Sequence, residues 1–258
     1  MALLEVRELE KSFGGVAAIS DLSFAVPEGQ VYPVIGPNGA GKTTLFNMLS
    51  GVYVPSGGAI EFAGTSLVGL PPHRVAEQGI ARTFQNLQIF FNMTVLENVM
   101  VGCHLRAHSG LYRAALRLPG VVREEQRIRE WAREALAFCG LEHLADRPAD
   151  ALPYGELKRI EIARALASNP RLLLMDEPAA GLNDTETVEL RQLVRRICDS
   201  GVTVLLVEHN MGLVMEVSDT VLVLDYGSKL AEGTTREVQN DPRVVAAYLG
   251  GEVQYAVK

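Results

Sequence analysis

The most chemically informative residues of this chain form the octapeptide Gly36-Pro37-Asn38-Gly39-Ala40-Gly41-Lys42-Thr43. It fits the pattern G-x-x-x-x-G-K-[ST], in which glycines let the backbone wrap around a phosphate with its N–H groups pointing inward. Lys42 places a positive charge on the β- and γ-phosphates, and the Thr43 hydroxyl can bind Mg²⁺. An apolar run precedes the loop, and the helix expected to follow it, which includes Thr44, adds its positive end. The octapeptide therefore predicts a phosphate-binding loop.

Polar residues also follow two other predicted buried strands. Asp176 and Glu177 end one apolar run, and His209 follows a second one. Asp176 is placed to hold Mg²⁺ through water, and Glu177 to orient or deprotonate an attacking water. His209 can hydrogen-bond the γ-phosphate. Gln85 stands at the junction into a helical region, where its amide oxygen can reach Mg²⁺ or water. These residues predict hydrolysis of the bound nucleotide.

Composition limits the classes of function. The chain has 258 residues, a net charge of −7 and 48% hydrophobic residues, which allow a sizeable core and argue against broad nucleic-acid binding. Cys103, Cys139 and Cys198 are far apart and are expected to be reduced packing residues. No apolar run approaches the ~18 residues of a membrane span, and the N-terminus lacks a signal-peptide pattern. We therefore expect membrane association only through partner subunits.

Apolar patterning predicts an α/β fold. Residues 3–35 alternate like β-strands, and continuous apolar strands typical of a parallel sheet return after Pro153. Between them, residues 86–153 have a largely helical pattern, which predicts an inserted helical region. Within it, Thr94 and Glu97 fit a capping box. Pro33 is unexpected in the strand before the phosphate loop, because proline lacks the N–H that a sheet ladder needs.

The order of these motifs resembles the ATP-binding subunits of ABC transporters over about residues 3–250. The residues at the place of that family's L-S-G-G-Q signature motif are Pro153, Tyr154, Gly155 and Glu156. Four stretches are similar to the branched-chain amino acid importer group: residues 82–86, 93–99, 154–156 with 159–166, and 247–250. The resemblance implies a single α/β domain, a P-loop NTPase (RecA-like) core with an N-terminal antiparallel β-subdomain and an inserted α-helical subdomain. Its expected parts are a catalytic core at 1–85 and 154–240, a helical subdomain at 86–153 and a C-terminal extension at 241–258.

The resemblance also implies an activity and its partners. ATP with Mg²⁺ would bind to residues 36–44, with Phe13 stacked on the adenine. The ATPase would power an importer for branched-chain or related amino acids. A sister or identical subunit would complete a head-to-tail dimer, in which the signature of one subunit faces the phosphate loop of the other. Permease subunits would hold the dimer at the cytoplasmic face of the cell membrane, with a solute-binding protein acting indirectly.

Three departures from the family pattern and several alternatives remain. Pro153 replaces the signature serine, Tyr154 the first signature glycine, and Asn183 the usual D-loop aspartate. Another ABC motor, for lipopolysaccharide export or urea uptake, would have the same site chemistry because other subunits select the solute. A soluble ABC ATPase of DNA repair or translation is disfavoured, because the chain has neither a long coiled-coil insert nor a second ATPase half. The presence of both Glu177 and His209 disfavours a non-catalytic nucleotide-binding module.

Overall fold

The structure is a computed structural model that describes residues 2–107 and 119–253. The strands are β1 (Ala2–Phe13), β2 (Val16–Pro27), β3 (Val31–Ile35), β4 (Gly57–Phe62), β5 (Thr65–Ser66), β6 (Ile80–Arg82), β7 (Leu172–Asp176), β8 (Thr203–Val207), β9 (Val221–Asp225) and β10 (Ser228–Gly233). The α-helices are α1 (Lys42–Leu49), α2 (Pro72–Glu77), α3 (Val95–Gly102), α4 (Pro119–Phe138), α5 (Tyr154–Ala167), α6 (Asp184–Asp199), α7 (Met211–Val217), α8 (Thr235–Gln239) and α9 (Pro242–Val253).

Two sheets form the α/β part of the molecule. The first is antiparallel, with the order β2-β1-β4-β5. The second has the order β10-β9-β3-β8-β7-β6, and its strands from β9 to β6 are parallel. The predicted N-terminal antiparallel sheet and the predicted parallel core are therefore confirmed.

The parallel sheet is covered on both faces. Every residue of β3, β7 and β8 is buried, as their continuous apolar sequences predict. Along β7, Leu172 and Leu174 pack against the layer that contains α1 and the antiparallel sheet, whereas Leu173 and Met175 pack against the layer that contains α3 and α5. Burial on both faces fixes the strand ends that carry the polar residues of the site.

Pro33 lies in the middle of β3, opposite Leu206 of β8. On its other side, β3 pairs with β9 only from Val34 onward. The ladder with β9 therefore begins one residue after the proline, which explains how the parallel sheet accommodates a residue without an N–H.

The helical region packs α3, α4 and α5 around one apolar cluster, which includes Val99, Leu136 and Ile160. The predicted capping box is confirmed, because Thr94 Oγ1 accepts the Glu97 N–H at 3.2 Å and Glu97 Oε2 accepts the Thr94 N–H at 2.8 Å. Residues 83–94 are not helical, and α3 begins at Val95, directly after the predicted N-cap residue Thr94. Residues 108–118 of this region, and 254–258 of the C-terminal extension, lie outside the described residues.

The three cysteines are free and buried, as expected for packing residues. Burial raises the pKa of all three thiols, and that of Cys139 reaches about 12. Across residues 2–107 and 119–253, no helix combines the length and apolar character that crossing a bilayer requires.

Candidate nucleotide-binding and hydrolysis site

The site lies at the carboxyl ends of three neighbouring strands, β3, β8 and β7. Because these strands are parallel and adjacent, the loops that follow them meet at one edge of the sheet. They form a cleft of about 220 Å³. Its lining residues are Ala18, Asn38, Gly39, Ala40, Gly41, Lys42, Thr43, Thr44, Glu177 and His209. The structure therefore brings the predicted phosphate loop together with two residues predicted from distant segments.

Glycine is required at two positions of the phosphate loop. A Cβ atom on Gly36 would lie 2.1 Å from the carbonyl oxygen of Leu224, and one on Gly41 would lie 2.6 Å from that of Ala18. Gly41 also has a φ of 97°, which side chains disfavour. The loop is thus folded closely against β9 and β2. Pro37 follows Gly36 in the loop and precedes the residues that line the cleft.

Lys42 begins α1 and is 6% exposed. Its Nζ donates hydrogen bonds to the carbonyl oxygens of Gly36, at 2.7 Å, and Pro37, at 2.9 Å. Burial lowers the pKa of the ammonium group, while the charges of Glu177 and Asp176 raise it. The Lys42 side chain is therefore held against the backbone of the loop, and it also lines the cleft.

Glu177 follows β7 and has a φ of 47°, an uncommon conformation for a residue with a side chain. Such a conformation costs about 1–3 kcal/mol and persists where the surroundings enforce it. Here the Glu177 N–H donates to the carbonyl oxygen of Val207 at 2.9 Å, which ties the turn after β7 to β8. The turn directs the Glu177 side chain into the cleft.

Gln85 and His209 contact the two oxygens of the Glu177 carboxylate. Gln85 Nε2 donates to Oε2 at 2.7 Å, and His209 Nε2 lies 3.0 Å from Oε1. The motif order predicts that the amide oxygen of Gln85 lies near Mg²⁺, whereas in the structure its amide nitrogen is bound to Glu177. The metal-binding role of Gln85 stays a prediction.

Asp176, the predicted water-mediated Mg²⁺ ligand, pairs with Arg82 at the end of β6. Arg82 Nη2 lies 3.0 Å from Asp176 Oδ2, and the side chains are 8% and 7% exposed. Arg82 Nη1 also donates to Asn47 Oδ1 and Ser50 Oγ, both at 2.8 Å. No motif in the sequence predicts a role for Arg82, although a buried carboxylate at a strand end requires a nearby cation.

The predicted signature residues, Pro153, Tyr154, Gly155 and Glu156, lie at the N-terminus of α5. Pro153 is the N-cap residue and provides no side-chain cap. A Cβ atom on Gly155 would lie 2.3 Å from Oε1 of Glu186, so α6 packs closely against this turn. None of the four residues lines the cleft formed by the described part of the same chain. A role in a partner's site stays a prediction.

Phe13 and Asn183 have clear local environments. Phe13 is 44% exposed at the end of β1. Its ring makes an edge contact with the ring of Tyr53, and the two ring centroids are 5.2 Å apart. Asn183 is the N-cap residue of α6, and its Oδ1 accepts the Glu186 N–H at 3.0 Å. Asparagine and aspartate cap helices about equally well, so the cap is preserved when an amide replaces the aspartate at this position. Adenine stacking by Phe13 stays a prediction.

Two features of the site were absent from the sequence analysis. Glu208, which is 3% exposed, accepts backbone hydrogen bonds from both loops that carry Glu177 and His209. Lys158 and Glu161 are buried on α5 and contact the backbone of residues 84–88. The sequence contains a signal for each feature. Glu208 is an acidic residue directly after the apolar strand β8, and Lys158 and Glu161 are charges on an otherwise apolar face of α5.

Comparison with known proteins identifies the class. The fold and the cleft are those of a P-loop ATPase, and the family model described as "ABC transporter" matches residues 19–180, more than half of the chain. The chain belongs to this family of ATP-binding, ATP-hydrolysing subunits. A second model, described as "Branched-chain amino acid ATP-binding cassette transporter", matches residues 228–254.

Individual relatives match over nearly their whole length. The chain is 43% identical to the high-affinity branched-chain amino acid transport ATP-binding protein BraF of Pseudomonas aeruginosa, covering 96% of this chain and 98% of the relative. It is 34% identical to the lipopolysaccharide export system ATP-binding protein LptB of Escherichia coli, covering 97% and 98%. A crystal structure of the ADP conformation of an ABC transporter's ATP-binding cassette has a TM-score of 0.85 at 34% identity and covers 97% of this chain and 99% of that chain. These matches confirm the predicted family and fold.

Proposed function

We propose that this chain hydrolyses ATP to power a membrane importer of branched-chain or related amino acids. The observation that carries the proposal is the 43% identity, over 96% of the chain, to a branched-chain amino acid transport protein. The match of residues 228–254 to the branched-chain amino acid model supports it. Lipopolysaccharide export is the second candidate, supported by a lower identity of 34%.

The first step assigned to these residues is binding of the ATP phosphates. The phosphate loop and the N-terminus of α1 line the cleft, where backbone N–H groups can bind phosphate, and Lys42 supplies a cation. The Thr43 hydroxyl lines the cleft and would bind Mg²⁺ directly, Asp176 would bind it through water, and the amide oxygen of Gln85 would be a third ligand. Mg²⁺ prefers such oxygens, so these residues fit it, and when bound it would neutralise phosphate charge.

The second step is activation of water by Glu177. Its carboxylate can accept a proton from a water that attacks the γ-phosphate, and His209 can hold the γ-phosphate by a hydrogen bond. Gln85 and His209 each contact one carboxylate oxygen, which fixes the orientation of the carboxylate. Both oxygens keep lone pairs that can accept a hydrogen bond from a water in the cleft, which Glu177 lines.

The third element is a second ATP-binding subunit, sister or identical, in a head-to-tail dimer. The N-terminus of α5 lies outside the cleft of its own chain and carries orphan backbone N–H groups. The N–H groups of Glu156 and Leu157 donate to the carbonyl oxygen of Pro153, whereas that of Gly155 can donate to a phosphate bound by the partner subunit. Because a backbone group supplies this donor, the loss of the signature serine at Pro153 does not remove the site.

Permease subunits are the proposed membrane partners. An apolar groove of about 320 Å³ lies between the α1–α2 region and α3, lined in part by Val52, Phe84, Val101 and Leu105. Each of these four side chains is at least 39% exposed. Phe84 directly precedes Gln85, so a permease segment seated in the groove would lie beside the catalytic cleft. This contact would hold the ATPase at the inner face of the membrane, with a solute-binding protein acting on the permease.

Two measurements test this function. A mild-detergent pull-down of the tagged chain from native membranes should recover multi-span permeases and a second ATP-binding subunit. Cells that lack the chain should lose uptake of labelled leucine, isoleucine or valine while lipopolysaccharide export continues. Recovery of only soluble partners would refute a role in transport, and a loss of export with normal uptake would favour the second candidate.

A further inference from the structure

We propose that Glu208 is a positioning residue for ATP hydrolysis, because its carboxylate holds the loops that carry Glu177 and His209 in one fixed arrangement. The proposal rests on the function proposed above, in which Glu177 activates water and His209 binds the γ-phosphate. Glu208 itself faces backbone groups rather than the cleft, so it would act through these two residues.

The hydrogen bonds of Glu208 connect two separate loops. Its Oε1 accepts the Ala179 N–H at 2.7 Å, in the turn two residues after Glu177. Its Oε2 accepts the N–H groups of His209 at 3.0 Å and Asn210 at 3.1 Å. One carboxylate therefore joins the turn after β7 to the segment after β8.

The turn after β7 needs such support. Glu177 has a left-handed backbone conformation that is unfavourable for a residue with a side chain. Before the turn, the Glu177 N–H is held by the carbonyl oxygen of Val207. After it, the Ala179 N–H is held by Glu208. The strained residue is thus fixed on both sides, as persistence of a strained conformation requires.

The chemistry of the three donors explains why a carboxylate stands at this position. All three are backbone N–H groups, so both oxygens of the side chain must accept hydrogen bonds. Burial raises the pKa of Glu208, whereas the backbone hydrogen bonds lower it. A glutamine has the same shape, but one of its two polar ends donates. Whichever way the amide is oriented, its –NH₂ group faces an N–H group of one loop.

The test compares Glu208→Gln with the wild-type chain, in the membrane assembly with which the chain co-purifies. We expect ATP affinity to fall much less than the rate, because the phosphate loop supplies most of the phosphate contacts and only the hydrogen bond from His209 would be disturbed. We expect kcat to fall at least about tenfold, because Glu177 and His209 lose their fixed arrangement. Glu232→Gln is the control, since the Glu232 carboxylate also accepts a partly buried hydrogen bond, from Tyr32 Oη, but lies outside the cleft.

A double-mutant comparison separates positioning from a general structural role. If Glu208 acts through Glu177, adding Glu208→Gln to Glu177→Gln should cause little further loss of rate. If the rate losses of the two single variants multiplied in the double variant, the proposal would be overturned. An equal loss of ATP affinity and rate in Glu208→Gln would overturn it as well. If Glu208→Gln does not fold, Glu208→Asp takes its place, because the shorter side chain keeps the charge but cannot reach both loops. Failure of both variants to fold would also overturn the proposal.

The same experiment distinguishes this proposal from the assignment on which it rests. A slow Glu177→Gln variant together with a wild-type rate for Glu208→Gln would overturn the role of Glu208 alone. A wild-type rate for Glu177→Gln would overturn the assignment of Glu177 and the proposal with it.

Discussion

The side-chain amide of Gln85 donates a 2.7 Å hydrogen bond to the carboxylate of Glu177. The backbone of Gln85 is in turn attached to α5, because its carbonyl oxygen accepts a hydrogen bond from Lys158 Nζ at 2.9 Å. Since α5 begins at the proposed signature residues, a displacement of that end of the helix can reach Glu177 through Lys158 and Gln85. This path joins the end of the subunit that is proposed to face a partner to the subunit's own cleft.

Replacing Lys158 with methionine tests the path. The variant keeps the buried apolar stem but removes the donor to Gln85, so turnover should fall by about 3- to 10-fold with ATP affinity unchanged. Steady-state hydrolysis and equilibrium ATP binding would measure the two effects. Lys229→Met, at a more exposed lysine on β10, is the control. Wild-type turnover in the Lys158 variant would show that the anchor is dispensable.

Lys42→Ala should weaken ATP binding by about 100-fold or more, which corresponds to roughly 2.7 kcal/mol or more. The reason is loss of the cation inside the phosphate loop. Titration calorimetry of the purified full-length chain gives the affinity directly. Micromolar binding retained by the variant would contradict the proposed role of the loop, provided that Lys229→Ala binds ATP like the wild type.

Glu177→Gln should bind ATP normally and hydrolyse it about 10²- to 10⁴-fold more slowly, because an amide cannot accept the proton from water. The slow step should also trap an ATP-held dimer, detectable by size-exclusion chromatography. Glu189→Gln, on the exposed face of α6, is the control variant. If the Glu177 variant turned over at the wild-type rate, a different base would have to be sought.

Phe13→Ala should reduce nucleotide affinity by about 2- to 10-fold, the loss expected for one aromatic stacking contact. The ring is partly exposed and touches Tyr53, so folding should be little affected. Binding of a fluorescent ATP analogue would measure the change, and Phe13→Trp should restore the affinity. An unchanged affinity in the alanine variant would assign Phe13 to the contact with Tyr53 alone.

Arg82→Gln should lower the free energy of unfolding by about 3–5 kcal/mol, because it leaves the buried carboxylate of Asp176 without its cation. Urea denaturation of the two proteins measures the difference. In Arg7→Gln, which removes an exposed ion pair with Glu61, the loss should stay below about 1 kcal/mol. Similar losses in the two variants would argue against a special role for the buried pair.

The features predicted from the sequence are those that local patterns determine. The phosphate loop follows from a run of eight residues, the Thr94 capping box from four, and the positions of Glu177 and His209 from apolar strands that precede them. The ion pair of Arg82 with Asp176 joins residues 94 positions apart, and no periodicity in the sequence connects them. Recognising it required the order of the strands, which places β6 beside β7.

The backbone contacts of Glu208 and Lys158 were not predictable for a related reason. A charged residue in a mostly apolar segment has a meaning only once its partners are known, and here those partners are backbone atoms of distant loops. Pro33 is a further example. Its tolerance depends on where the pairing of β3 with β9 begins, which is a property of the assembled sheet.

The burial of Cys103, Cys139 and Cys198 makes this chain convenient for site-directed labelling. Their raised pKa values keep the thiols protonated near neutral pH, so maleimide and spin-label reagents should react with them slowly. A reporter cysteine introduced on the exposed start of α5 would then react selectively against the native background. Spectroscopic distances between two such labels would follow the approach of two subunits during turnover.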